Sequence, residues 1–143
     1  MSAIAVAHFP SADGYARPPL PTPESWLAVL PMLRLAALRC RAHRRIDPWQ
    51  ACSFLSPATP LESYVDGVLL LLEDGLGRRP VFHAPAAAEN SFDESWLLRL
   101  LERQIAGDAA SVEMLLRSRI RPAELRRMGF LLRGLAERLA ALQ

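Results

Sequence analysis

The side chains able to do chemistry are few and scattered: two cysteines, Cys40 and Cys52, and three histidines, His8, His43 and His83. Cys40 and His43 stand in a C-x-x-H spacing, with Cys52 and His83 as conceivable further ligands. A structural zinc site needs four ligands, which usually arrive as two close pairs. Only one pair is present, and Cys40 continues the apolar row of Leu33 and Ala37, so a buried, inert thiol accounts for it better. A serine or cysteine nucleophile needs a base within reach and a third group to orient that base. The histidines fall in an N-terminal tail, an arginine cluster and a loop, and no local pattern pairs any of them with Cys52 or Ser91. The acids Glu73-Asp74 and Asp93-Glu94 are consecutive and suit helix ends rather than a catalytic pair. Gly75-Leu76-Gly77 is followed by neither a lysine nor a helix start, unlike a phosphate-binding loop. The residues therefore predict no catalytic group, no metal ligand and no cofactor. Phe82 and His83 are the loop positions at which an exception would be sought, because functional side chains favour loops.

Charge has more shape than chemistry. All seventeen basic residues are arginine, and the net charge is only +2. Residues 34–45 carry five arginines and no acid, residues 111–143 seven arginines against three acids, and residues 59–94 seven acids against two arginines. Complementarity within the molecule, the acidic stretch lying near the basic ones, is the simpler account of this layout. The sharper account is a basic surface that binds an acidic partner or phosphates. Its candidate contacts are Arg41, Arg44 and Arg45 in the first segment and Arg126, Arg127 and Arg133 in the second. Phe130 projects from the same arginine face on a helical projection, where it could fill a partner's pocket or stack on a base.

The elements that must position these residues read as helices throughout. Residues 1–22 form an irregular arm whose Pro18-Pro19-Leu20-Pro21 run favours extended geometry. Thr22-Pro23 opens a first helix, with Thr22 as cap and Pro23 in its first turn. Trp26, Val29, Leu30, Leu33, Ala37 and Cys40 fall on one face of it, and Pro31 predicts a kink or fresh start. Asp47-Pro48 begins a short second helix to about Leu55. Thr59-Pro60-Leu61-Glu62 has the form of a capping box for a helix to about Asp74, with Gly75 as its left-handed terminus. Val81-Phe82-His83 lacks a partner strand and reads as loop.

Ser91-Phe92-Asp93-Glu94 is a second capping box, opening a helix to about Ala106 that Gly107 stops. Its apolar residues cover more than half its circumference, predicting a central helix with neighbours on two sides. Asp108 caps the next helix, which carries Val112, Leu115, Leu116 and Met114 inward until Arg121-Pro122 breaks it. A last helix from Pro122 almost to Gln143 puts Leu125, Met128, Leu131, Leu132, Leu135, Leu139 and Leu142 on one stripe and arginines on the other. Glu-Ser-Trp-Leu occurs at both 24–27 and 94–97, which two helices meeting the same capping need explain better than a duplication.

The expectation is an all-α fold: a compact bundle of about five or six helices over residues 23–143, preceded by the irregular, Pro-rich arm 1–22. The start lacks a signal peptide's charged and apolar regions, and no apolar run approaches the ~20 residues that span a bilayer. A cytoplasmic protein with reduced thiols is expected, with no membrane partner. The function expected is a non-enzymatic binding or regulatory module that contacts another protein, or a second copy of itself. The alternative is a nucleic-acid-associated protein using basic segments 34–45 and 117–138.

Overall fold

A computed structural model describes residues 29–40 and 58–142. Among these residues the chain forms five α-helices and one short 3-10 turn, with no strand, as the helical patterning predicts. They are α1 (Val29–Cys40), α2 (Leu61–Leu76), α3 (Phe92–Ile105), α4 (Ala109–Arg119) and α5 (Leu125–Ala141), with the 3-10 turn Pro122–Glu124 leading into α5. None of these helices is long and apolar enough to cross a membrane. The arm 1–22, the helix start at Thr22-Pro23 and the short helix at 47–55 lie outside the described residues. So do Trp26, His8, His43, Cys52 and the arginines Arg41, Arg44 and Arg45. The described part of α1 begins just before Pro31, so the expected kink falls at the edge of what is described.

The core is one cluster fed by every helix. Leu33 of α1, Val65, Val68 and Leu72 of α2, Leu97, Leu100 and Leu101 of α3, and Met128, Leu132 and Leu135 of α5 are all fully buried. A buried aliphatic side chain of this size contributes roughly 1.5–3 kcal/mol relative to an exposed one, so the apolar stripes drive assembly. α2 and α5 form the most extensive contact, α1 packs on α2, and α3 lies against both α4 and α5, which matches its two-sided apolar surface. The α2–α5 seam is close because Gly134 faces the Tyr64 ring, where an added Cβ would overlap a ring carbon. Arg138 closes the same seam. Its guanidinium lies 4.0 Å from the Tyr64 ring centroid, and its Nε donates to the Thr59 carbonyl at 2.8 Å.

Helix ends obey the capping rules at three places and depart from the expected form at two. Ser91 and Glu94 make the predicted reciprocal capping box, and the Asp108 side chain accepts from the Ser111 amide. The chain breaks before Pro122 as expected, though α4 already ends at Arg119, with its cap Ile120 and then Arg121 both extended. At the start of α2, however, the cap position is Pro60 and no side chain caps it. The helix begins at Leu61, which places Thr59 one residue too early for a capping box; its carbonyl serves Arg138 instead.

At the other end α2 runs on to Leu76, and Gly77, not Gly75, adopts the left-handed conformation, with φ 74°. Gly75 is buried within the helix because Ile120 packs where a side chain would be, 3.1 Å from an ideal Cβ, and the Arg121 amide donates to the Gly75 carbonyl at 2.8 Å. Met114 is 65% exposed and points away from the core, and Leu142, beyond the last turn of α5, is exposed as well.

Candidate functional site

Two features stand out: a buried ionic hub at the start of α3, and the outer face of α5. The hub begins with Glu94, which its place in the capping box aims back at the helix N-terminus. Its carboxylate is completely buried and accepts from the Ser91 amide (2.8 Å), Arg34 Nε (2.6 Å), Arg34 Nη2 (3.3 Å) and the His83 amide (3.3 Å). Burial pushes this carboxyl's pKa up, but the bonds from Arg34 and the backbone amides outweigh it and hold the group below its ordinary range.

Arg34 is itself only 3% exposed. Besides Glu94 it donates through Nη1 to the Ala87 carbonyl (2.9 Å) and the Pro85 carbonyl (3.4 Å), and through Nη2 to the Glu89 carbonyl (3.0 Å). One guanidinium on α1 thereby holds the loop 78–90 against α3.

Asp93, the residue before Glu94, does the same on the other side. It receives a two-pronged bond from Arg78 (2.9 and 3.0 Å), one from the Val81 amide (2.7 Å) and one from Arg119 Nη2 on α4. Burial raises its pKa, yet these donors prevail and the net result is a fall from 3.8 to about 2. Arg119 also lies over two rings of α3, 4.8 Å from the Phe92 centroid and 5.0 Å from that of Trp96.

His83, the loop residue of chemical interest, is tied into this hub. Its Nδ1 is 2.6 Å from the Glu89 carbonyl oxygen, an acceptor that fixes the proton on Nδ1, and 3.7 Å from Glu94 Oε1. The two carboxylates face amide and guanidinium donors on every side, and Ser91 Oγ both donates to the Val81 carbonyl and accepts from the Glu94 amide. Groups so engaged are suited to holding the loop rather than to exchanging protons or attacking a substrate.

Cys40 is half-buried, with its sulfur 3.9 Å from the Asp66 carbonyl oxygen. Burial and the nearby Asp66 carboxylate push its thiol up to about 11, which makes a poor nucleophile near neutrality. Among the described residues no group of three or more histidine, cysteine and acidic side chains is placed to hold a metal ion. The spacing partners His43 and Cys52 lie outside those residues.

Sequence reasoning missed Arg34 as the centre of this hub and counted it only as part of the basic segment 34–45. The signal was its position: Arg34 follows Leu33 and sits four residues after Leu30, inside the apolar stripe of α1. An arginine there must find an acid. The same correction reaches the second basic segment. Arg119 turns inward to Asp93 and Arg138 to Tyr64 and the Thr59 carbonyl, so neither belongs to an outer basic face.

What does remain outside is the outer face of α5. Arg126, Arg127, Phe130 and Arg133 are all exposed there, Phe130 at 48%. Arg127 is 3.7 Å from Glu124, while Arg126 and Arg133 have no ion-pair partner among the described residues. Phe82, the other loop position of interest, lines a shallow open groove with Ala37 and Cys40 of α1, Leu69, Leu70 and Glu73 of α2, and Arg79 and Pro80. No known protein family matches the chain, and neither curated proteins nor solved structures give a match to it.

Proposed function

We propose that this chain is a non-enzymatic protein-binding module whose contact surface is the outer face of α5. The observation that supports this most directly is Phe130, a half-exposed aromatic ring among Arg126, Arg127 and Arg133 on a helix whose opposite face is locked into the core. Aromatic and arginine side chains supply most of the binding energy at protein interfaces, and a rigid helix presents them at little entropic cost. The partner such a face suits offers an apolar pocket bordered by acids.

A photo-reactive phenylalanine analogue placed at Phe130 and expressed in the native host tests the reading. The same analogue at Arg99, exposed on α3, is the control. Covalent adducts with one or a few proteins are expected at 130 and not at 99. Identical adducts at both positions, or none, would sink it. Adducts with nucleic acid would instead favour the alternative reading, in which Arg126 and Arg133 bind phosphates and Phe130 stacks on a base.

A further inference from the structure

We infer that the partner of the α5 face is a second copy of this chain, docked through the outer face of its α2. This rests on the reading of α5 as the contact surface and names what it contacts. On α5, Arg126, Phe130 and Arg133 recur at spacings of four and three, an outward row of one aromatic residue flanked by positive charge. On α2, Glu62, Asp66, Leu70 and Glu73 recur at spacings of four, four and three, and none of the four is buried. The second row is the chemical complement of the first: one apolar residue flanked by negative charge. Leu70 also borders the groove of Cys40, Leu69 and Phe82, which gives an incoming aromatic ring an apolar floor.

Among the described residues the acids on α2 have only weak competitors. Asp66 meets Arg39 at 3.0 Å and Glu73 meets Arg79 at 4.0 Å, both pairs about half-exposed. Exposed pairs of this kind contribute only about 0–1 kcal/mol, and Glu62 has no ion pair among the described residues. A second chain's arginines therefore displace little. A two-fold axis that sets each α5 row on the other chain's α2 row would satisfy both rows of both copies. Such an interface repeats the same contact twice and closes on itself.

Charge exchange tests this on the full chain. Light scattering of the wild-type protein at low salt is expected to give a dimer, weakened about tenfold when salt rises from about 0.05 M to about 0.5 M. Arg126→Glu with Arg133→Glu makes both rows acidic, and Glu62→Arg with Glu73→Arg makes both rows basic. Each double variant alone is expected to be monomeric, with an unchanged helical circular dichroism spectrum, since all four positions are exposed. Mixed together, the two are expected to recover a one-to-one dimer.

A wild-type monomer at about 0.1 mM and low salt would overturn the inference, as would a dimer that survives either charge reversal. The photo-reactive position at Phe130 separates this failure from that of the broader reading. Adducts with the chain itself support a second copy as partner. Adducts solely with another protein end the self-association while leaving α5 as a contact surface.

Discussion

At the scale of single residues, the molecule is defined by charges it has taken out of water. Arg34 and Glu94, 3% and 0% exposed, compensate each other at 2.6 Å. Breaking a buried pair by removing one partner costs about 3–5 kcal/mol, because the other charge is left without compensation. Glu94→Gln keeps the shape and removes only the charge, so urea denaturation is expected to show a loss of that size. A loss under about 1 kcal/mol would mean the pair is not load-sharing in solution.

Asp93, like Glu94, contributes acid sensitivity. Its folded pKa lies below the value of a free carboxylate, at about 2 against 3.8. Its stabilising contribution is therefore complete above about pH 4 and disappears as pH falls through about 2, since the folded state takes up its proton later than the unfolded one. The difference in unfolding free energy between wild type and Asp93→Asn is expected to shrink by about 2 kcal/mol over that interval. A pH-independent difference would show that the donors from Arg78, Val81 and Arg119 do not hold the carboxylate as drawn.

At the scale of elements, two glycines in one helix make opposite forecasts. Gly129 and Gly134 both lie in α5, where glycine costs about 0.5–1 kcal/mol relative to alanine. An alanine at Gly129 meets nothing within 4 Å and is expected to stabilise by that amount. An alanine at Gly134 would drive its Cβ into the Tyr64 ring and force α2 and α5 apart, for a loss of about 1–3 kcal/mol or more. Thermal unfolding of the two variants reads both signs, and a stabilising Gly134→Ala would remove the close α2–α5 approach.

Elements are also where the sequence was most legible. The capping box at Ser91–Glu94, the Asp108 cap, the break at Arg121-Pro122 and the stripe of α5 all depend on neighbours within a few residues, and each reads directly from spacing. Gly75 did not, because what makes it glycine is Ile120, forty-five residues away in the chain. Thr59 misled because a capping box requires an exact register and α2 starts one residue late. Phe130 was visible from periodicity alone as a ring on the arginine side. The hub was half visible: its acids could be placed at a helix start, but which arginines reached them depended on tertiary contacts spanning 15 to 60 residues.

At the scale of the whole molecule, the uneven charge along the chain resolves into inner and outer parts. Arg34, Arg119 and Arg138 serve the fold, which thins the basic surface that raw counting suggested. Among the described residues, what remains on α5 is a short row rather than a broad field, and over such a row contact-range matching sets what it binds. That is the regime in which one apolar anchor with a few flanking charges sets specificity, and in which added salt weakens an association without abolishing it.

The partners of Arg34, the carbonyls of Pro85, Ala87 and Glu89 and the carboxylate of Glu94, all come from one stretch of ten residues. That stretch follows α1 and α2 in the chain, so during synthesis the guanidinium emerges well before any group that engages it. The final seating of α1 is thereby tied to residues 85–94.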